Sequence, residues 1–482
     1  MKLSSLLKGY AHQTASQNLD LEVAGIAHDS RYVLPGELYV CLEGMRVDGH
    51  FFAGQAVERG AVAVLATKPL NLPVPTIYVS DTRHALSFLS DRFFAHPSRK
   101  LHIVGVTGTN GKTTTTHFLQ SIYRAAGYAA AVIGTVGIRM DKEYLPGDLT
   151  TPEAFALHKT FAEMNQQNIK HVVMEVSSHS LTWCRVEHVE FNTAIFTNLT
   201  HDHLDFHKSM QKYFAAKAHL FKKLPKKENG RAQAIINADD HYGKLLLTSL
   251  DVPVFSYGLH DNAAVRGFVA STTVGETLVV IRYGNLEFEI NVHLPGEYNV
   301  YNAIAAVAAA LAEGIAPEAI IDGVDNLESI PGRLEAINFQ QEFSIFIDFA
   351  HTPDGLEKVL TTLSALPHRR LITVFGCPGD RDRTKRPLMG RIAEAYSDVV
   401  IVTSDNPGTE SPEGIIREIL QGMEHLPVVL PDRNEAVHYA LSIADKGDIV
   451  LLAGKGHETY QLIGDQHIPY SDKQAVEAFF IS

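Results

Sequence analysis

Cysteine is almost absent from this chain of 482 residues: Cys41, Cys184 and Cys377 are all there is, odd in number and far apart. A disulfide framework and a zinc site spaced on cysteines are both excluded, and a reducing compartment fits. Positive charge is in deficit, with 42 Lys and Arg against 55 Asp and Glu and a formal net charge of −13. That balance argues against nucleic acid or an anionic membrane as the main partner, although local basic groups still bind phosphates. Long apolar runs are missing as well. The most apolar stretch, 303–311, is too short to cross a bilayer, and the opening MKLSSLLKGYAHQ has neither an extended apolar segment nor a small-residue cleavage site. A cytoplasmic chain without membrane insertion is expected. Internal repeats and low-complexity tracts are lacking too.

What is present is an alternation of strand and helix patterns over a length that one core does not organise, so three domains are expected. Over 1–98, β-rich runs at 37–42, 61–66 and 76–79 lead to the polar punctuation His96-Pro97-Ser98-Arg99-Lys100. From His102 a buried-strand run passes through a Gly/Thr loop into a helix ending near Gly127, and strand-like runs recur at 171–176 and 193–196. This βαβ rhythm predicts a mostly parallel sheet. Residues 276–294 alternate apolar and polar around Tyr283-Gly284-Asn285, an antiparallel hairpin at that sheet's edge, and 299–314 reads as an Ala-rich helix. After Pro331-Gly332 the rhythm restarts, with strands near 344–349, 371–375, 399–403, 428–430 and 449–452. The expected fold class is α/β. Residues 1–98 form a first domain, 99–330 a central domain on a P-loop-type, mostly parallel sheet, and 331–482 a Rossmann-like doubly wound domain.

The run Thr107-Gly108-Thr109-Asn110-Gly111-Lys112-Thr113-Thr114 follows a strand and opens a helix, where backbone N–H groups surround phosphate oxygens. Lys112 then neutralises the β/γ charge, and Thr113 offers a hydroxyl to Mg²⁺. Val106 stands where the general phosphate-loop pattern has Gly, so the generic motif is broken at its first position. A chance Gly/Thr turn is the bland alternative, and GKT after a strand weighs against it.

Glu175 ends an apolar strand, where open α/β sheets bind ligands. Downstream, Asn198-Leu199-Thr200-His201-Asp202-His203-Leu204-Asp205-Phe206-His207 packs three His and two Asp into ten residues, a density that points to a charged ligand. One reading is a His/Asp zinc site, since His203 and His207 have i, i+4 spacing; no Glu lies between them as in HExxH. His201 and His207 as purely local hydrogen-bonding residues is the other. Lys217 sits in an otherwise apolar helical stretch, YFAAKAHLF, and is either a snorkelling surface lysine or a buried ammonium that needs a partner.

TGTNGKTT resembles the ATP loop of the Mur ligase and folylpolyglutamate synthetase superfamily, and further motifs from Asp29 to Gln461 follow in the order seen in Mur ligases, most closely its MurE-type members. The resemblance implies ATP and Mg²⁺ as cofactors, with Gly108, Thr109, Asn110, Gly111, Lys112, Thr113 and Thr114 around the phosphates. It makes Thr113, Glu175 and His203 metal ligands, joined by Lys217 as a CO₂-derived carbamate. In LPGEYNVYNA, Asn302 is implied as the adenine reader while Asn299 caps the helix. GRLE and DFAHTP, the latter with Phe349 for the usual Tyr, bring Arg333, Asp348 and His351 to ATP, which requires domain closure. Lys112, His203, Lys217 and Arg333 are the catalytic set so implied.

Near the start, HDSR and GMRVDGH resemble segments that hold a uridine diphosphate, giving Ser30, Met45, Arg46 and Val47; the Asp-Ser-Arg tripeptide alone is equally a common turn. Thr150, Thr151, Ser177 and Arg185 match positions contacting the muramoyl dipeptide, while Trp183 stands where some relatives have Gln. For the incoming amino acid the resemblance implies Arg381, Asp405, Asn406, Pro407, Gly408, Gly454 and Glu458. Relatives that add meso-diaminopimelate read DNPR where this chain reads DNPG, and an Arg there forks onto the distal carboxylate. Gly408 therefore favours L-lysine, while the retained GKGHE keeps diaminopimelate open.

The implied function is ATP-dependent addition of the third residue to UDP-N-acetylmuramoyl-L-alanyl-D-glutamate through an acyl phosphate, by a monomer. Its rivals are a folate or polyglutamate ligase, against which the Asp-Ser-Arg element speaks, and a silent Mur-like binding protein, against which intact Lys112, Thr113, Glu175, His203 and Lys217 speak. A P-loop kinase or GTPase is disfavoured by Val106 and the lack of a guanine-reading NKxD.

Overall fold

The computed structural model describes residues 1–14, 19–44, 47–140, 143–145, 147, 149–225, 232–260, 263–273 and 276–481. The chain divides into two compact units: Met1–Thr107 with Tyr128–Ala194 and Ala216–Gln233, and Gly108–Gly127 with Ile195–Ala215 and Ala234–Ser482.

In the first unit, β1 (Gln13–Thr14), β2 (Gly25–Ala27), β3 (Glu37–Val40), β4 (Ala63–Ala66) and β5 (Thr76–Tyr78) form a sheet in the order β1-β5-β4-β3-β2. Only the short edge strand β1 runs antiparallel. Alternate strand residues feed two cores, with Leu38, Val40, Leu65 and Ile77 on one face and Tyr39, Cys41, Val64 and Ala66 on the other. Apolarity on both faces is what a covered parallel sheet requires. The same unit carries β6 (His102–Thr107), β7 (Ala130–Gly134), β8 (Gly137–Met140), β9 (Glu143–Leu145) and β10 (His171–Glu175), ordered β6-β10-β7-β8-β9. β6, β10 and β7 are parallel; β8 and β9 fold back antiparallel.

In the second unit, β11 (Thr193–Phe196) leads through β12 (Gln233–Asn237), β13 (Val254–Gly258), β14 (Val265–Thr272), β15 (Thr277–Tyr283) and β16 (Leu286–Val292), each hydrogen-bonded to the next. The expected hairpin is β15–β16 at the edge, turning on Gly284 with φ +56°. Helix Glu297–Ala312 is buried along nearly its whole length, its alanines allowing close packing. Further on, β17 (Glu335–Ile337), β18 (Ser344–Asp348), β19 (Leu371–Phe375), β20 (Val399–Val402), β21 (Val428–Val429) and β22 (Ile449–Ala453) form a sheet in the order β17-β18-β22-β19-β20-β21, parallel except for β17. Helices Pro353–Ser364, Lys385–Tyr396 and Pro412–Leu420 pack on one face, Arg433–Ile443 and Asp472–Ile481 on the other. That is the doubly wound arrangement expected for 331–482. Among the described residues no helix is long and apolar enough to cross a membrane.

Candidate functional site

Within the second unit the phosphate loop opens helix Lys112–Ala125. Gly111 has φ +85°, and a Cβ on it would lie 2.2 Å from Asn302 Oδ1, so the turn into the helix admits only glycine. Lys112 curls over the loop, its Nζ donating to the carbonyls of Gly108 (3.0 Å) and Thr109 (2.8 Å). Asn198, not singled out from sequence, fastens the loop: its Oδ1 accepts from the Asn110 amide (3.0 Å) and its backbone carbonyl from Thr109 N–H (2.9 Å). Thr197 Oγ1 donates to the Asn110 carbonyl at 2.6 Å, and Tyr213 lies 3.2 Å from Thr109 Oγ1. Nothing in the spacing of Asn198 or Tyr213 announces this; the contacts exist only in the folded chain.

Arg333 reaches the same loop, donating from Nη2 to Thr113 Oγ1 at 2.9 Å, with its guanidinium 5.0 Å from the Phe349 ring centroid. Asp348 accepts the amides of Leu334 (2.7 Å) and Ala350 (2.8 Å), which holds the GRLE and DFAHTP segments together. Burial raises the Asp348 carboxyl above its ordinary value, and the nearby Arg333 charge opposes the rise. His351 donates from Nδ1 to the Phe349 carbonyl (2.8 Å), and burial together with the Lys385 charge pushes its imidazole down to about 4, so it is neutral near pH 7.

Asn299 does not cap its helix, a correction to the sequence reading. The helix begins at Glu297 behind Gly296, and Asn299 lies inside the first turn with Nδ2 on the Pro295 carbonyl at 2.8 Å. Its Oδ1 receives Asn302 Nδ2 at 3.1 Å, and Asn302 Oδ1 is thereby presented to Gly111.

The histidine cluster separates in space. His203 has φ +54° and precedes a helix of four residues, Leu204–His207, so the i, i+4 helical face assumed for a zinc site with His207 does not exist. His203 Nε2 lies 3.3 Å from Asp202, whereas the buried His207 ring stacks on Tyr213 with centroids 4.9 Å apart. The exposed His201 is 3.4 Å from Asp382. Asp202, His203, Asp205, His351, Pro378, Arg381, Asp382 and Lys385 line one cavity. Burial raises the Asp202 carboxyl, but the charges of His203 and then Lys385 more than offset this and leave it below the ordinary range.

Around the expected amino-acid site the polar groups are tightly joined. Lys455, fully buried, donates to Asn406 Oδ1 (2.9 Å), to Glu458 Oε2 (2.6 Å) and to the Tyr460 carbonyl; Asn406 Nδ2 donates to the same Glu458 oxygen at 2.9 Å. Asp405 is buried, its carboxyl raised by desolvation against the pull of Lys455 and Arg433, and a Cβ on Gly454 would meet its Oδ2 at 2.4 Å. Gly408 has φ +57°, and a Cβ there would lie 2.3 Å from Asp380 Oδ2, which accepts the Thr409 amide at 2.9 Å. Pro407 precedes it with its carbonyl against Gly379.

In the first unit, Glu175 ends β10 with 1 % exposure, accepting from the Thr135 amide (2.8 Å) and hydroxyl (3.0 Å). Thr135, missed in the sequence, also meets the Thr150 hydroxyl at 3.0 Å. Thr151 Oγ1 accepts the Ser177 amide at 3.1 Å and donates to the Glu175 carbonyl at 2.9 Å. Arg185, 6 % exposed, holds the Thr151 carbonyl (3.1 Å) and the Glu153 carboxylate (2.7 Å). Lys217 is 1 % exposed, which overturns the snorkelling alternative. Ser30 is buried with its hydroxyl on Gln55 at 2.8 Å, Asp29 caps the short turn that follows, and Val47 is exposed; Met45 and Arg46 lie outside the described residues.

Three family models match in chain order: the Mur ligase family catalytic domain over 22–93, the Mur ligase middle domain over 106–310 and the Mur ligase glutamate ligase domain over 332–456. The chain is 43 % identical to a UDP-N-acetylmuramoyl-L-alanyl-D-glutamate–2,6-diaminopimelate ligase of Syntrophomonas wolfei, covering 98 % of each. The chain belongs to the Mur ligase family. A relative of the same name from Geobacillus thermodenitrificans is 42 % identical over 99 % of each chain. A solved structure of a ligase so named superposes on this Mur ligase with a TM-score of 0.68 at 31 % identity, covering 100 % of this chain and 99 % of that one. MurF from Acinetobacter baumannii, at 19 % identity and a TM-score of 0.69 over 95 % of this chain and 94 % of its own, shares the fold. This Mur ligase is an ATP-dependent ligase.

Proposed function

We propose that this Mur ligase adds a diamino acid to UDP-N-acetylmuramoyl-L-alanyl-D-glutamate, and that the amino acid is meso-diaminopimelate. The observation that carries this reading is likeness from end to end: relatives named for that reaction are 43 % and 42 % identical over 98 % or more of both chains. A second reading, L-lysine, is favoured by Gly408, where no guanidinium is available for a distal carboxylate.

In the proposed reaction the terminal D-glutamate carboxylate attacks the γ-phosphorus of ATP, releasing ADP and forming an acyl phosphate. The amino group of the added residue then attacks the acyl carbon, phosphate leaves, and the amine gives up a proton as the amide forms. Lys112 and Arg333 neutralise phosphoryl charge, with Gly108, Thr109, Asn110, Gly111, Thr113 and Thr114 around it and Asn302, Asp348 and His351 completing the ATP site. Ser30, Val47, Thr150, Thr151, Ser177 and Arg185 serve the UDP-linked dipeptide; Arg381, Asp405, Asn406, Pro407, Gly408, Gly454 and Glu458 serve the amino acid. Mg²⁺ is proposed on the donor chemistry of Thr113, Glu175, His203 and Lys217. The burial of Lys217 fits a side chain whose ammonium is replaced by a carbamate, and bound Mg²⁺ would supply charge neutralisation. On this reading 1–98, 99–330 and 331–482 bind the UDP-sugar, ATP and the amino acid, in the cytoplasm. Turnover with meso-diaminopimelate, L-lysine and L-ornithine tests the assignment: preference for diaminopimelate supports it, and preference for L-lysine replaces it with the second reading.

A further inference from the structure

Lys385, absent from every role assigned above, is a buried cation with spare donors. It is 5 % exposed at the start of helix Lys385–Tyr396, and its Nζ donates to the His351 carbonyl at 2.9 Å. An ammonium carries three N–H groups, and Lys385 lines the cavity shared with Asp202, His203, Asp205, His351, Arg381 and Asp382. Burying a charge among so few partners is costly unless a ligand completes its shell.

The cavity's chemistry narrows that ligand. Its volume is about 40 Å³. On the same measure a water needs about 10–15 Å³, so the polar head of an amino acid fits while the rest of the ligand extends outside. Two cations, the exposed Arg381 and the buried Lys385, face three carboxylates, a lining matched to a group carrying a carboxylate and an ammonium on one carbon.

We propose that Lys385 binds the α-carboxylate of the incoming amino acid beside Arg381, leaving its α-amino group among Asp202, Asp205 and Asp382. The assignment rests on the ligase reading and adds to it which end of the amino acid enters this cavity, and on which cation.

The test is steady-state ADP release by the full-length enzyme with the amino acid it uses best and with that compound's α-carboxamide. The wild type disfavours the amide by about 10- to 100-fold in kcat/KM, the worth of a hydrogen bond between charged groups. Lys385→Met loses a comparable factor on the acid, mainly in KM for the amino acid, and discriminates between acid and amide by less than about threefold. Lys385→Arg keeps the discrimination. A wild type that uses the amide as well as the acid overturns the proposal without any variant, as does a Lys385→Met enzyme that discriminates fully. A wild type whose ADP release ignores every amino acid overturns the ligase reading itself, a separate outcome.

Discussion

Lys455→Met is the substitution whose consequences the structure states most fully. Lys455 is fully buried, and its ammonium joins Asn406 Oδ1, Glu458 Oε2 and the Tyr460 carbonyl. Methionine fills nearly the same volume, so the loss is electrostatic: one partly buried carboxylate and two further acceptors lose this donor. Breaking a buried ion pair from one side costs about 3–5 kcal/mol. The Glu458 side chain keeps 20 % exposure and Asn406 Nδ2 still reaches it, so water and the amide recover part of this, and about 2–4 kcal/mol is expected. Urea unfolding near pH 7.5 measures it. Because Asn406 and Glu458 also lose their fixed orientation, KM for the amino acid rises while KM for ATP does not. In Lys455→Met with Glu458→Gln the uncompensated charge is gone, so part of the stability returns. A Lys455→Met enzyme less than about 1 kcal/mol weaker, with an unchanged KM for the amino acid, refutes the reasoning.

Gly111→Ala places a Cβ 2.2 Å from Asn302 Oδ1 at φ +85°. Direct ADP titration should show binding weakened by about tenfold or more while the far-UV spectrum stays native. Asp472→Ala strands Arg433, since both side chains have zero exposure and two bonds of 2.8 Å join them; urea unfolding should record a loss of about 3–5 kcal/mol. His158 is buried, and desolvation lowers its imidazole to about 4 despite Asp91 nearby. The unfolded chain therefore binds a proton that the native state refuses between about pH 6.5 and 4, so stability falls as pH drops through that window, by about 3 kcal/mol at most. In His158→Phe that part of the acid slope disappears, which a series of unfolding curves from pH 4 to pH 8 reads directly.

Much of the fold was legible because apolar residues alternate or run continuously where strands lie. β15 and β16 flank Gly284 as their alternation requires, and β18 to β22 recur with the expected helices between them. β14 went unread: after Phe268 it is exposed and rich in Ser and Thr, so no apolar period marks it. The turn from strand into helix at 107–114 was legible because Gly111 there takes a positive φ ahead of the helix that opens at Lys112. The zinc alternative on His203 and His207 fails because their spacing presumes one helix through both, whereas His203 is left-handed and the helix begins after it. Asn299 misled because Gly296 and Glu297 start the helix earlier. Thr135, Asn198 and Lys385 act through residues 40, 88 and 34 positions away, distances at which a lone sequence gives no signal.

On the proposed function, ATP cleavage is coupled to amide formation on a UDP-linked dipeptide. ADP release by purified enzyme, followed with each component omitted in turn, tests it most directly. Sustained release should require ATP, Mg²⁺, the UDP-muramoyl dipeptide and the amino acid together, with the tripeptide formed in equal amount. Release at the same rate without the dipeptide or without the amino acid contradicts it.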